Sequence, residues 1–212
     1  MRKPLDRIAL MMCVGIASAI ALTAQAADVE RPDDIEAVWK AQSIVFDYRS
    51  EGRLYPCDIL EYKISVILRR LGARDTLALH RSGCRDLAGR VRFEMLMEFP
   101  VTATAANIQE ITTYDAEDEL IARLRGVQLA SPMDLERFPA AWQSVSLRTL
   151  DLEAGDCALV QQLRRQIMPK MSVQVTKDIT RVDCSQELAG IGSPRLSVLA
   201  LLPASTPQHF LE

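Results

Sequence analysis

Cysteine is the residue type in this 212-residue chain whose spacing points most directly to chemistry. Cys13 lies in an apolar N-terminal run, and the other four form two pairs, Cys57 with Cys84 and Cys157 with Cys184, each 27 positions apart. Zinc binding and dithiol redox catalysis use cysteines a few positions apart, with histidines alongside or one activated thiol. No C-x-x-C is present. An even number of cysteines in an exported chain instead suits structural disulfides. Four cysteines allow three pairings. The equal spacing favours Cys57–Cys84 and Cys157–Cys184 over a bridge between the pairs such as Cys57–Cys157.

Other reactive side chains are sparse. His80 and His209 are far apart in the chain, and no H-x-x-x-H or G-x-S-x-G occurs, so neither a histidine metal site nor a serine hydrolase is indicated. Gly190-Ile191-Gly192-Ser193-Pro194 precedes a strand pattern rather than opening a helix, which reads as a turn and not a phosphate loop. The densest carboxylates are Asp115, Glu117, Asp118 and Glu119. They could serve acid–base chemistry, but they head a helical segment that ends in Arg123 and Arg125, where acids cap the helix and complement its dipole. The run also lacks the glycine-containing twelve-residue calcium loop. No catalytic residue, metal site or cofactor is expected.

The elements that must position the cysteines repeat. Trp39 precedes the alternating run Ser43–Tyr48, and Trp142 precedes Ser144–Thr149. After Cys57 come Ile59, Leu60, Ile64, Ile67, Leu68 and Leu71; after Cys157 come Leu159, Val160, Leu163, Ile167 and Met168. Both sets recur at three- and four-residue steps, one buried face of a helix, stopped by Gly72 and Pro169. Strands are expected at Thr76–His80 and Ser172–Thr176, each leading to the second cysteine. The tags Asp86-Leu87-Ala88-Gly89 and Glu187-Leu188-Ala189-Gly190 follow. A last strand puts Val91, Phe93, Met95, Met97 and Phe99 on one face in the first half, and Leu196, Val198, Ala200 and Leu202 in the second, stopped by Pro100 and Pro203. Glu94 and Glu98 then fall on the outer face. The expected fold is α+β: two tandem βαββ pseudo-repeats forming antiparallel sheet covered on one face by helices. Each half has a small core, which a disulfide closing a loop of about 28 residues would stabilise by roughly 3–4 kcal/mol.

The expected organisation is a signal peptide at 1–26, a first unit at 27–100, a connecting segment at 101–141 and a second unit at 142–212. Within the connecting segment, Val101–Ala106 reads as a loose link, Ile108–Thr113 as a further strand and Asp115–Arg125 as a short helix ended by Gly126. Residues 27–36 and 204–212 read as soft termini.

The run Tyr55-Pro56-Cys57-Asp58-Ile59-Leu60-Glu61-Tyr62-Lys63, with Leu71-Gly72-Ala73-Arg74 and Ser82-Gly83-Cys84, resembles a pattern in exported proteobacterial proteins with paired cysteines and no known activity. The resemblance implies export and paired cysteines, and no ligand or catalytic residue.

Export is also read from the N-terminus. Arg2, Lys3 and Arg7 precede the apolar Ile8–Thr23, and Ala24-Gln25-Ala26 supplies small residues for a signal peptidase, predicting cleavage after Ala26 or, alternatively, Ala27. The apolar run falls short of the ~20 residues a spanning helix needs, so no stable membrane span is expected after cleavage. Met12 before Cys13 is too bulky for a lipobox. Residues 1–26 carry three basic residues and one acid, leaving 22 basic against 27 acidic residues, a net charge near −5. That balance disfavours nucleic acid and anionic lipid as partners. The expected function is non-catalytic binding or scaffolding in the periplasm or outside the cell, with another envelope protein or a small ligand as partner. The alternatives are a hydrolase using carboxylates of the acidic run and a small-ligand carrier with its site between the two units.

Overall fold

A computed structural model describes residues 34–51, 53–150, 152–178 and 194–204. Residues 1–26, where a signal peptide is expected, Ala27, Cys184, the second Leu-Ala-Gly tag and His209 lie outside that set. The described chain is an α+β protein. Its strands are β1 (Ile35–Arg49), β2 (Tyr55–Pro56), β3 (Ala78–Ser82), β4 (Leu87–Ala88), β5 (Arg90–Thr102), β6 (Arg137–Ser146), β7 (Val173–Asp178) and β8 (Leu196–Pro203). Its helices are α1 (Cys57–Arg70), α2 (Ala105–Ile111), α3 (Ala116–Arg125) and α4 (Cys157–Gln166). Six strands form one antiparallel sheet in the order β3-β5-β1-β6-β8-β7, and β2 pairs with β4 in a small ribbon.

Alternation builds the sheet. Val91, Phe93, Met95, Met97 and Phe99 of β5 are all buried, with Ile44, Phe46 and Tyr48 of β1 beside them and Leu196, Val198 and Ala200 of β8 beyond. A strand turns alternate side chains to opposite faces, so this face is the core. On it lie Leu60, Ile64, Ile67 and Leu68 of α1 and Leu159, Val160 and Leu163 of α4, in one continuous cluster through both halves. The opposite face is mostly exposed, with Val45 and Leu96 open to solvent. A small second cluster of Ala37, Ala140 and Leu201 lies where the halves meet, against Phe138 and Trp142.

In each half the first strand lies innermost, the last strand beside it and the middle strand at the sheet edge. The halves join through β1 and β6, which pair only from Ile35↔Ala140 to Val38↔Arg137. Gly72, at φ +104°, ends α1 against the second half. A Cβ there would meet the Leu201 carbonyl oxygen and Leu202 Cδ2 at 3.1 Å.

Several expectations are corrected. Ile108–Thr113 is no strand: Ala105–Ile111 is helical. Thr104 caps it by accepting from the Asn107 N–H, and Asn107 Nδ2 reaches back to the Thr102 carbonyl; such local bonds compete well against strand pairing. Val101 and Thr102 belong to β5, so the link begins later than expected. Ile35 and Glu36 are in β1 rather than a soft terminus, because β6 pairs with them. The run Ser144–Thr149 leaves its strand after Ser146, where Leu147–Thr149 forms a 3₁₀ turn that buries Leu147.

Pro100 does not stop β5. It sits opposite Trp39, and Ala103, three positions on, donates to the Glu36 carbonyl. Even-numbered residues of β1 therefore bond to β5, which leaves Trp39↔Pro100 a non-bonded pair. Any N–H at position 100 would face the β3 side, where pairing with β5 ends at Leu96, so proline is tolerated there.

Candidate functional site

Cys57 opens α1 and is disulfide-bonded to Cys84 beyond β3, with Cα atoms 6.1 Å apart. The bridge ties the helix start to the edge-strand side of its own half. The β2–β4 ribbon lies beside it: Cys57 N–H donates to the Asp86 carbonyl and Ser50 N–H to the Gly89 carbonyl. The Leu-Ala-Gly tag thus lines the entrance to α1. Cys157 opens α4 in the same way and is disulfide-bonded; Cys184 lies outside the described residues.

The acidic run forms a helix cap. Asp115 accepts from the Glu117 and Asp118 N–H groups, and Asp118 accepts from the Asp115 N–H in a reciprocal capping box. All four acids are exposed. Glu94 is exposed on the outer face, and Glu98 accepts from Arg74 and Thr76 there. His80 is an exposed residue of β3. Among the described residues no group of three or more metal-ligating side chains assembles, and no helix is long and apolar enough to cross a membrane. Trp39 stacks on Phe138 at 4.7 Å, and the Arg74 guanidinium lies 4.9 Å above its ring.

Among the described residues, a buried group of interacting charges centres on Asp156, which the sequence reading did not single out. Asp156 sits immediately before α4 and is fully buried. Its Oδ2 accepts from Lys63 Nζ of α1 at 2.7 Å and from the Glu153 N–H at 2.7 Å. Its Oδ1 lies 2.5 Å from the Tyr55 hydroxyl, which is also 2.8 Å from the Gly155 carbonyl. A carboxylate is the stronger acceptor, so it takes the single hydroxyl proton. Arg53 pairs with Glu153 and lies over the Tyr55 ring at 5.2 Å. Gly155 leaves room for that arginine, since a Cβ there would collide with Arg53 Cδ.

Electrostatics follow from the burial. Burial pushes the Tyr48 hydroxyl up to about 12, helped by the nearby negative charge of Asp156. Tyr55 is raised further, by burial first and then by its bond to Asp156. Both phenols are therefore held neutral. Asp156 receives donors from Tyr55 and Lys63 of the N-terminal half and from the Glu153 N–H of its own chain turn, three for the roughly four acceptor positions of a carboxylate. The arrangement joins two halves; it holds no polarised nucleophile.

A second contact completes the junction. Past Val38, β1 has no β6 partner, and the odd-numbered peptide groups of its open edge need others. Gln162 of α4 accepts from the Arg49 N–H at 2.8 Å and donates to the Arg49 carbonyl at 2.7 Å. Gln166 makes the same pair of bonds to Asp47, at 3.0 and 3.1 Å. Four residues of helix rise about 6.0 Å and two of strand about 6.7 Å. Two carboxamides one helical turn apart therefore match alternate peptide groups and stand in for a missing strand.

These residues carried a weak sequence signal. Gln162 and Gln166 flank Leu163 and Ile167 on the buried stripe of α4, where polar residues need partners. Nothing local marks Asp156, whose partners Lys63 and Tyr55 are 93 and 101 positions away. The geometry defines a class: a six-stranded antiparallel sheet in two similarly ordered halves, locked by a buried charge and a glutamine ladder. Comparison with protein-family models, curated proteins and solved structures found no match.

Proposed function

We propose that this chain is an exported, non-catalytic binding or scaffolding protein of the periplasm or cell exterior. One observation carries the reading. The side chains that a buried acid–base site would use, Asp156, Lys63 and Tyr55, are bonded to one another and to the backbone in the joint between the halves. Export is supported by the signal-like residues 1–26, with cleavage after Ala26 or Ala27, and by the resemblance to exported proteins with paired cysteines. The Cys57–Cys84 bridge is compatible with an oxidising compartment. Duplication of a βαββ unit, with Cys157–Cys184 as the second bridge, is supported by the equal cysteine spacing, by the matching strand order and by α1 and α4 each opening on a cysteine.

Two grooves at corresponding places offer surface to a partner. One lies between α1 and β3 and includes Glu61, Tyr62, Arg69 and Leu79. The other lies between α4 and β7 and includes Gln161, Arg165, Met168 and Val175. Capping by Asp115 weighs against a hydrolase built on the acidic run, and the filled junction weighs against a ligand site between the halves.

Purified protein assayed against peptidoglycan, phospholipid and peptide substrates is expected to show no turnover. Photo-crosslinkers placed at Tyr62 and Arg165 in envelope-bearing cells are expected to give a discrete adduct with an envelope component. Turnover that a single carboxylate substitution abolishes would overturn the reading.

A further inference from the structure

The two sulfurs of the Cys57–Cys84 bridge stand in different surroundings. Cys57 is 4% exposed. Its N–H is given to the Asp86 carbonyl, and the β2–β4 ribbon lies beside it. Cys84 is half-buried and lines an open hollow with Gly83, Arg85, Asp86 and Leu87, all four of them exposed. Gly83, at φ +80°, has no side chain to screen its neighbour. A thiolate breaks a disulfide by attacking one sulfur in line with the S–S bond, so it needs open space behind that sulfur. Burial closes that approach to Cys57, and the hollow leaves it open to Cys84.

The other sulfur must depart as a thiolate, and the start of α1 suits Cys57 to that part. The helix has 14 residues, and Pro56 before it makes no side-chain cap. N–H groups in the first turn of a helix lack partners within the helix. The positive end of the helix dipole also favours a negative charge there, and thiolates at helix N-termini are stabilised in this way. Asp58 sets a competing negative charge in the same turn, but it is exposed and therefore screened. Cys84 follows β3 in a loop and has no helix behind it. Access and leaving ability thus select the same direction of attack.

We propose that small thiols enter this bridge at Cys84 and expel the Cys57 thiolate into the start of α1. The incoming thiolate forms a new S–S bond to Cys84 Sγ while the Cys57–Cys84 bond breaks, and the bonding pair departs on Cys57 Sγ. One disulfide replaces another, with no net gain or loss of electrons. A second thiolate that attacks the mixed disulfide then frees Cys84 and carries the first thiol away as a small disulfide. Closure by a small disulfide reverses the path: Cys84 takes up the thiol group first, and the Cys57 thiolate displaces it.

The test treats the full exported chain, folded and with its disulfides intact, with glutathione. Early samples are quenched with excess N-ethylmaleimide, and each cysteine is read in its own peptide by mass spectrometry. Glutathione is expected on Cys84 and maleimide on Cys57, with the reverse labelling about tenfold rarer. The preference should vanish in denaturant, where both sulfurs are open. Pro56→Asp places a capping carboxylate at an exposed position before α1. It occupies the first-turn N–H groups and sets a negative charge beside Cys57, so exchange should slow roughly threefold. Circular dichroism confirms that this variant is folded. The proposal is overturned by glutathione on Cys57, by equal labelling, or by no adduct at either cysteine. A preference that survives in denaturant, or exchange in Pro56→Asp that is unchanged or faster, overturns it as well.

Discussion

In the N-terminal half, α1 begins at Cys57, a ribbon of β2 and β4 lies beside its entrance, and the Cys84 bridge ties it back to the strand side. In the C-terminal half, α4 begins at Cys157, but a 3₁₀ turn at Ala154–Asp156 leads into it and the helix is four residues shorter, 10 against 14. The residue before each helix differs in kind. Pro56 precedes α1 and makes no side-chain cap, while Asp156 precedes α4 and turns its carboxylate away from its own helix towards Tyr55 and Lys63. The N-terminal half donates its proton and its cation, and the C-terminal half supplies the acceptor. The glutamine ladder runs the other way, from α4 to the open edge of β1.

Two identical halves meeting about a two-fold would make every contact twice. Here each contact is made once, and the position corresponding to Lys63 by cysteine spacing is the buried Leu163. Symmetry of the frame therefore does not extend to the joint. One buried anion with a dedicated cation costs less than two, since every buried charge must be desolvated before it is paired.

The largest expected effect tests that asymmetry. Asp156→Ala leaves Lys63 and Tyr55 without their shared acceptor and should lower unfolding free energy by about 3–5 kcal/mol in chemical denaturation. Adding Lys63→Met should recover part of the loss. If the double variant is less stable by the full sum of the two single losses, the two side chains are not coupled.

Next is the covalent tie. Cys57→Ser with Cys84→Ser removes a loop closure worth roughly 3–4 kcal/mol in the chain-entropy account. Because one core runs through both halves, the loss should appear as a lower midpoint of a single transition. Separate melting of the N-terminal half would show that the shared core does not couple the halves.

The buried phenols give a pH-dependent loss that is absent at neutrality. Tyr48 is raised from its ordinary 10.0 to about 12, and Tyr55 is raised further. A raised pKa means that the folded state holds the proton more tightly than the unfolded state. Their contribution is therefore complete below about pH 10 and is lost as pH climbs through the folded values. Stability should fall from about pH 10 upward, and Tyr48→Phe should flatten that limb. An unchanged alkaline limb in the variant would show that Tyr48 takes no part in it.

How much of this was readable in the chain depends on the range of the interaction. The inner face of β5 was legible because Val91, Phe93, Met95, Met97 and Phe99 alternate without interruption. The helices at Cys57 and Cys157 were legible from their apolar spacing, and α3 from its acids, arginines and Gly126. Failures came where a short-range signal met a competing local bond, as at Thr104 and Asn107, or where strand length depended on a distant partner, as at Ile35. The joint was illegible for a further reason. A buried aspartate before a helix looks in sequence like an ordinary cap, and only the fold reveals that its carboxylate serves the other half.

The smallest effect discriminates most finely, because Gln162 and Gln166 make the same two bonds to successive outward peptide groups of β1 at different depths. Gln162 is 4% exposed, and Gln162→Ala leaves the Arg49 N–H and carbonyl unmet away from water, a loss of about 2 kcal/mol. Gln166 bonds to Asp47 at the solvent boundary, and Gln166→Ala lets water take over, a loss of roughly 0.5 kcal/mol. Hydrogen exchange should follow the same order, with the Arg49 amide losing more protection than the Asp47 amide. Equal losses at both sites would mean that the carboxamides contribute packing rather than a replacement for the missing strand. A larger loss at Gln166 would place the closed end of the β1 edge opposite to where the burial puts it.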